Sequence, residues 1–126
     1  MSVPYQEILD EILRCIEELQ QEQIPILVEG RNDRKAMLAL GLRNIIVLNK
    51  PLYKIVEHLQ LMGKVAILTD FDWRGRKLFA QLRHECSTRG ITMNNRLRIF
   101  LKKETSVVHM EGLATFVENL ERKKLF

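Results

Sequence analysis

A chain of 126 residues is the size of one domain. Its 46% hydrophobic content suffices for one core, and no apolar run reaches the roughly 20 residues needed to span a bilayer. Two cysteines without paired spacing exclude a disulfide framework, the polar, acidic N-terminus excludes a secretory signal and leaves a cytoplasmic protein as the expectation, and the net charge of +4 with a pI near 9.3 suits an anionic partner.

Pro4 suits the first turn of a helix, where its missing N–H costs nothing. Tyr5, Ile8, Ile12, Ile16 and Leu19 then recur at helical spacing, which predicts a helix over about 4–21. Ile24-Pro25-Ile26-Leu27-Val28 is a continuous apolar run, the pattern of a strand buried on both faces. Gly30 breaks it, Asn32 or Asp33 could cap a helix through Leu40, and Gly41 would stop that helix. Asn44 to Asn49 predicts a second buried strand, and Pro51 opens a helix that runs to Met62 and ends at Gly63. Val65 to Thr69 predicts a third strand. Arg74 to Arg89 reads as an amphipathic helix closed by Gly90, and within it His84 and Cys86 lack the second pair that a zinc set needs. Leu97 to Leu101 alternates more and predicts an edge strand, and a final helix over about 111–124 would bury Leu113, Phe116, Val117 and Leu120 before the basic stretch Arg122-Lys123-Lys124.

A helix followed by four strand–helix units argues for one α/β domain with a mostly parallel sheet, its motif-bearing core at about 24–101. A flavodoxin-like order would put the third strand beside the first and create a switch point there, where ligands bind beyond the carboxyl ends of the strands.

Two of the predicted strands end in acids, Glu29 and the pair Asp70 and Asp72. Desolvating a charge is costly unless it is paired or bound to metal, so such positions point to a site. Asp70 and Asp72 would project to one side of an extended chain while Phe71 turns to the core. Neighbouring strands lie about 4.8 Å apart, which would bring Glu29 to the same cleft. Three converging carboxylates suit magnesium, with manganese as the alternative, and phosphate oxygens would complete the shell. Mutual repulsion would raise the pKa of one acid unless metal were bound, and a glutamate so raised suits acid–base work. Gly30 and Gly75 would let a phosphate backbone approach, and Arg31, Arg34, Lys35, Arg74, Arg76 and Lys77 could hold it. Bland roles compete: Asp72 as a cap for the following helix, Asp33 as a cap more than a ligand, Asp70 as a partner of Arg74, and Trp73 as a packing residue more than a base-stacking platform.

Glu29-Gly30-Arg31-Asn32-Asp33 resembles the Glu-Gly-x-x-Asp motif of Toprim domains, and Asp70-Phe71-Asp72-Trp73-Arg74-Gly75 resembles their Asp-x-Asp-x-x-Gly motif, each after an apolar strand. The resemblance covers about residues 24–101. It implies a four-stranded parallel sheet sandwiched by helices, Glu29 as general acid or base, and magnesium held by Asp70 and Asp72. Type II topoisomerases carry a third aspartate where this chain has Arg74, and Tyr5 and Tyr53 sit in predicted helices with no room for a DNA gate. The layout is closest to the small nuclease branch, without that branch's C-terminal region.

The leading expectation is therefore magnesium-dependent phosphodiester processing of RNA or DNA, most simply by a nuclease. A non-catalytic nucleic-acid or ribonucleoprotein binding module is the alternative, and the small size favours a protein partner or a homodimer. A haloacid-dehalogenase-like phosphatase fits less well, because that family carries its Asp-x-Asp on the first strand.

Overall fold

The computed structural model describes residues 4–124. Helix α1 (Tyr5–Glu22) is followed by β1 (Ile26–Val28), α2 (Arg31–Ala39), β2 (Ile45–Val47), α3 (Leu52–Met62), β3 (Lys64–Ile67), α4 (Trp73–Thr88), β4 (Thr92–Met93), α5 (Arg96–Glu104), a 3-10 turn (Met110–Gly112) and α6 (Leu113–Lys124). The strands form one all-parallel sheet in the order β2-β1-β3-β4. The fold is α/β with helices on both faces of a four-stranded sheet.

The apolar runs divide between two cores by strand alternation. Ile26, Val28, Ala66 and Leu68 face the layer built by α1, α2, α5 and α6, where Leu9, Ile12, Met37, Leu101 and Leu113 are buried. Leu27, Val65 and Ile67 face the other layer, with Ile55, Val56 and Leu59 of α3 and Leu82 and Cys86 of α4. The period of two in each strand thus feeds both faces, and a continuous apolar run is the result. The connection from β1 to β2 moves one way across the sheet with α2 on one face. Those from β2 to β3 and from β3 to β4 move the other way with α3 and α4 on the opposite face, as right-handed crossovers require. The direction reverses between β1 and β3, so the expected switch point is present.

Gly63 ends α3 at φ 80°, a left-handed position that favours glycine. Cys15 and Cys86 are free and buried, in opposite layers, and burial raises both thiols. Among the described residues no helix is long and apolar enough to cross a membrane.

One expected element is overturned. Leu97 to Leu101 lies inside α5, and the fourth strand is the two-residue segment Thr92–Met93. The alternating reading put Arg98 outside and Ile99 inside, whereas Arg98 is 5% exposed and Ile99 is 64% exposed. Leu97, Arg98 and Leu101 are the buried positions, which is helical spacing. The last helix also begins later than expected, because Met110–Gly112 forms a 3-10 turn before Leu113.

Candidate metal centre

The carboxyl ends of β1 and β3 bring Glu29 and Asp70 together. A Glu29 carboxylate oxygen accepts the Asp70 backbone N–H at 2.7 Å, so the acid after β1 pins the loop after β3. Its other oxygen lies 4.0 Å from Nε of the exposed Arg74. The Asp70 side chain accepts the Met110 N–H at 2.7 Å and approaches Nδ1 of His109 at 3.4 Å. Asp72 is the N-cap of α4: one oxygen accepts the Gly75 N–H at 2.8 Å, and the other lies 3.9 Å from His109 Nδ1.

His109 reaches these acids because the segment after α5 runs beside the loop. Phe71 donates its N–H to the Val108 carbonyl at 2.7 Å, and Met110 follows into Asp70. Asp70, Asp72 and His109 each offer a ligand atom, all within 4.8 Å of one another. Ligands of a small divalent ion at about 2.1 Å lie roughly 3–4 Å apart, so this trio needs only slight contraction to hold one. Hydrogen bonding to Asp70, with the charges of Asp70, Asp72 and Glu111, raises the His109 pKa against a smaller opposing effect of desolvation.

Glu29 stands beside this trio. It shares with Asp70 an open cleft of about 500 Å³ that Gly30, Arg31, Asp33, Arg74 and Glu111 also line. Asp70 is the common wall. Asp33 is 7% exposed and accepts the Gly30 N–H at 3.0 Å from the first turn of α2. The expected cap at Asn32 or Asp33 is shifted: Gly30 holds the N-cap position, and Asp33 bonds back to it from the third helical residue. Burial, then the charge of Asp70, raise the Asp33 carboxyl above its ordinary value, while the Gly30 hydrogen bond opposes them.

Two readings of residues in the first turn of α4 are corrected. A Cβ on Gly75 would lie 2.1 Å from the Asp70 carbonyl oxygen, so Gly75 is required by this chain's own backbone and leaves no opening for a phosphate. The buried Thr69 hydroxyl fastens the same contact by donating to the Gly75 carbonyl at 2.7 Å. Gly30, by contrast, has open space where a Cβ would sit, with only an Asp33 oxygen at 3.9 Å. Trp73 does not pack: it is 70% exposed beside Asp72, with the Lys77 ammonium 5.0 Å from its ring centroid. A strand-end carboxylate also proves to have structural work, since Glu29 and Asp70 both hold backbone amides.

Arg31 and Arg74 border the cleft, while Arg34 and Lys35 are exposed on α2 and do not line it. Arg76 turns instead toward the gap between α4 and α5. His109 and Arg98 are the residues that sequence reasoning missed. For His109 the signal was faint, one histidine interrupting the apolar stretch Val107, Val108 and Met110. No motif contains Arg98, yet its guanidinium donates to the carbonyls of Thr69 and Asp70 and lies over the rings of Phe71 at 4.8 Å and Phe79 at 4.2 Å. Desolvation lowers its pKa to about 10, against the raising charges of Glu29 and Asp70.

No family model matches the chain. It is similar to a UPF0292 protein of Methanocaldococcus jannaschii, 35% identical over 95% of this chain and 97% of that one. A UPF0292 protein of Methanosarcina acetivorans is 32% identical over 91% of this chain and 83% of its own. Among solved structures, a protein from Aquifex aeolicus superposes with a TM-score of 0.70 at 32% identity, covering 78% of this chain and 94% of that one.

Proposed function

The chain belongs to the UPF0292 family, and we propose that it is a metal-dependent protein of the Toprim kind that processes phosphodiesters in nucleic acid, most simply as a nuclease. One observation carries this reading: Glu29, Asp70, Asp72 and His109 gather at the switch point between β1 and β3, held by backbone amides and bordered by arginines. Open α/β sheets bind ligands at such a place.

Asp70, Asp72 and His109 would hold the ion, with Glu29 at its margin. Bound there, a divalent ion supplies Lewis-acid stabilisation of charge developing on a phosphoryl oxygen. Magnesium suits the carboxylates, while the imidazole nitrogen favours first-row transition ions, so manganese should support function at least as well. Glu29 faces the cleft with one oxygen free of backbone contacts, which suits it to take or return a proton at the attacking or leaving oxygen. Arg31 and Arg74 would orient the phosphodiester, and exposed Trp73 offers a face on which a base can stack.

Purified protein should cleave a structured RNA or DNA only when magnesium or manganese is supplied. Glu29→Gln and Asp70→Asn should each reduce the rate roughly a hundredfold or more. Equal cleavage by the wild type and both variants would end the catalytic reading. A second reading, a metal-bridged binding module, is favoured by the Glu29 oxygen already committed to the Asp70 amide. It predicts metal-enhanced binding of nucleic acid without any cleavage.

A further inference from the structure

A second polar surface lies between α4 and α5, separate from the acidic cleft. Its groove, of about 320 Å³, is bordered by Arg76 and Arg83 of α4 and by Arg98 and Lys102 of α5, with no acid on its wall. Among the described residues some cations elsewhere are matched and others, such as Arg34, Lys35 and Lys54, are not, so what sets this groove apart is four cations along one acid-free wall. Arg14, Arg89 and Arg96 pair with glutamates of their own or neighbouring helices, and Lys64 pairs with Glu22. Among the described residues, Arg76, Arg83 and Lys102 have no carboxylate within salt-bridge distance. The fourth cation, Arg98, is buried in the floor, fixed by two carbonyls and two aromatic rings. Among the described residues Arg98 makes no ion pair at salt-bridge distance, and its charge is offset in part by those of Glu29 and Asp70 behind it.

The groove is tied to the acids by two structural connections. Arg98 donates to the carbonyls of Thr69 and Asp70, so its floor is the back of the loop that carries Asp70 and Asp72. Helix α4 starts at the Asp72 cap, and Arg76 and Arg83 follow on one of its faces, about 10 Å apart along the axis. Exposed Ile99 and the ring of Phe79 add apolar surface among the cations. A sugar or base edge can use such surface, whereas inorganic phosphate cannot.

We propose that this groove binds the phosphodiester backbone of a single nucleic-acid strand, with Arg83 and Lys102 as the outer contacts and Arg76 leading toward the acids. The assignment of nucleic acid rests on the reading of the acidic cleft given above, but binding here needs no metal and no chemistry. A strand engaged at the cleft would be held along α4, which explains how so small a domain keeps hold of a polymer.

The test is binding of a fluorescent single-stranded oligonucleotide in EDTA, followed by anisotropy across a salt series. Arg83→Glu with Lys102→Glu should weaken binding at least tenfold and flatten the slope of log K against log salt by about 1.4, roughly 0.7 for each lost phosphate contact. Both side chains are exposed, so an unchanged melting temperature should accompany the loss. Lys50→Glu with Lys54→Glu, the same change in charge on α3 and the loop before it, should weaken binding less than about threefold by the same salt relation. Equal losses in the two double variants would reduce the effect to net charge and overturn the proposal. So would unaltered binding by the groove variant, or pyrophosphate binding at the groove by a protein that does not bind the oligonucleotide. Manganese titration of the wild type by calorimetry, without nucleic acid, reads the acidic cleft alone, so failure of that reading and failure of this one are distinguishable.

Discussion

The acidic cleft and the basic groove share one end of the molecule and are built on opposite terms. In and beside the cleft four carboxylates each hold a backbone amide: Glu29 takes that of Asp70, Asp33 that of Gly30, Asp70 that of Met110 and Asp72 that of Gly75. In the groove, Arg76, Arg83 and Lys102 project without carboxylate partners, and only Arg98 is fixed. The difference follows what each surface would hold. A small cation needs oxygens placed within a fraction of an ångström, which demands pre-ordered side chains. A polyanion is attracted by charge over several ångströms and accepts long, mobile side chains.

If order in the cleft comes from backbone contacts, disturbing those contacts should do more harm than removing any exposed cation. Gly75→Ala is the severest case. Its Cβ would meet the Asp70 carbonyl oxygen, carbon and nitrogen at 2.1, 2.6 and 2.8 Å, all backbone atoms that cannot rotate away. We expect a loss of about 3 kcal/mol, the upper part of the range for overpacking, read as a lower midpoint in denaturant unfolding. Metal binding should weaken with it, because the displaced loop carries both aspartates. Stability within about 0.5 kcal/mol of the wild type would show that the loop is softer than its contacts imply.

Arg98→Met tests the one fixed element the two surfaces share. Methionine can fill much of the space between Phe71 and Phe79, but it leaves the Thr69 and Asp70 carbonyls without their donor. The Thr69 carbonyl is the buried acceptor, and leaving it unpaired costs about 1–3 kcal/mol, while the part-buried Asp70 carbonyl at 3.4 Å adds little, so the midpoint should fall by no more than that of Gly75→Ala. Both metal affinity and oligonucleotide binding should decline. A loss confined to oligonucleotide binding would mean that Arg98 serves the groove alone.

These contacts also mark what a sequence can and cannot convey. Strands β1 and β3 were legible because local pattern is enough: an apolar run, then an acid, then a glycine or a second acid. The helix stop at Gly63 is a local matter too, since its left-handed φ belongs to the residue itself. No local pattern marked Arg98, because its burial depends on two aromatic rings contributed by distant segments, and without that burial the alternation of Leu97 to Leu101 reads as an edge strand. His109 is separated from Asp70 by 39 positions and arrives through the hydrogen bonds that flank it, Phe71 to Val108 and Met110 to Asp70. No spacing rule links the two. The role of Gly75 was invisible for the same reason, as the atom it makes room for belongs to a loop folded back on α4.

Asp33 offers the smallest and most discriminating change. It belongs to the acidic group by position, yet its carboxyl is raised by burial and by Asp70. A carboxyl whose folded pKa exceeds its unfolded one favours the fold only while protonated. That advantage is complete below the unfolded value near 3.8 and is gone once the pH has risen past the folded value. At neutral pH the ionised Asp33 therefore weighs against folding. Asp33→Asn keeps an oxygen for the Gly30 amide while removing the charge, so the variant should match or exceed the wild type in stability at pH 7. Its stability should also vary less between pH 4 and 7 in parallel chemical denaturation series. A clear loss at pH 7 would instead mean that the charge itself secures the α2 terminus, through the helix dipole or the Gly30 amide. The contrast between amide-held acids and free cations would then extend to a residue whose negative charge stabilises the fold directly.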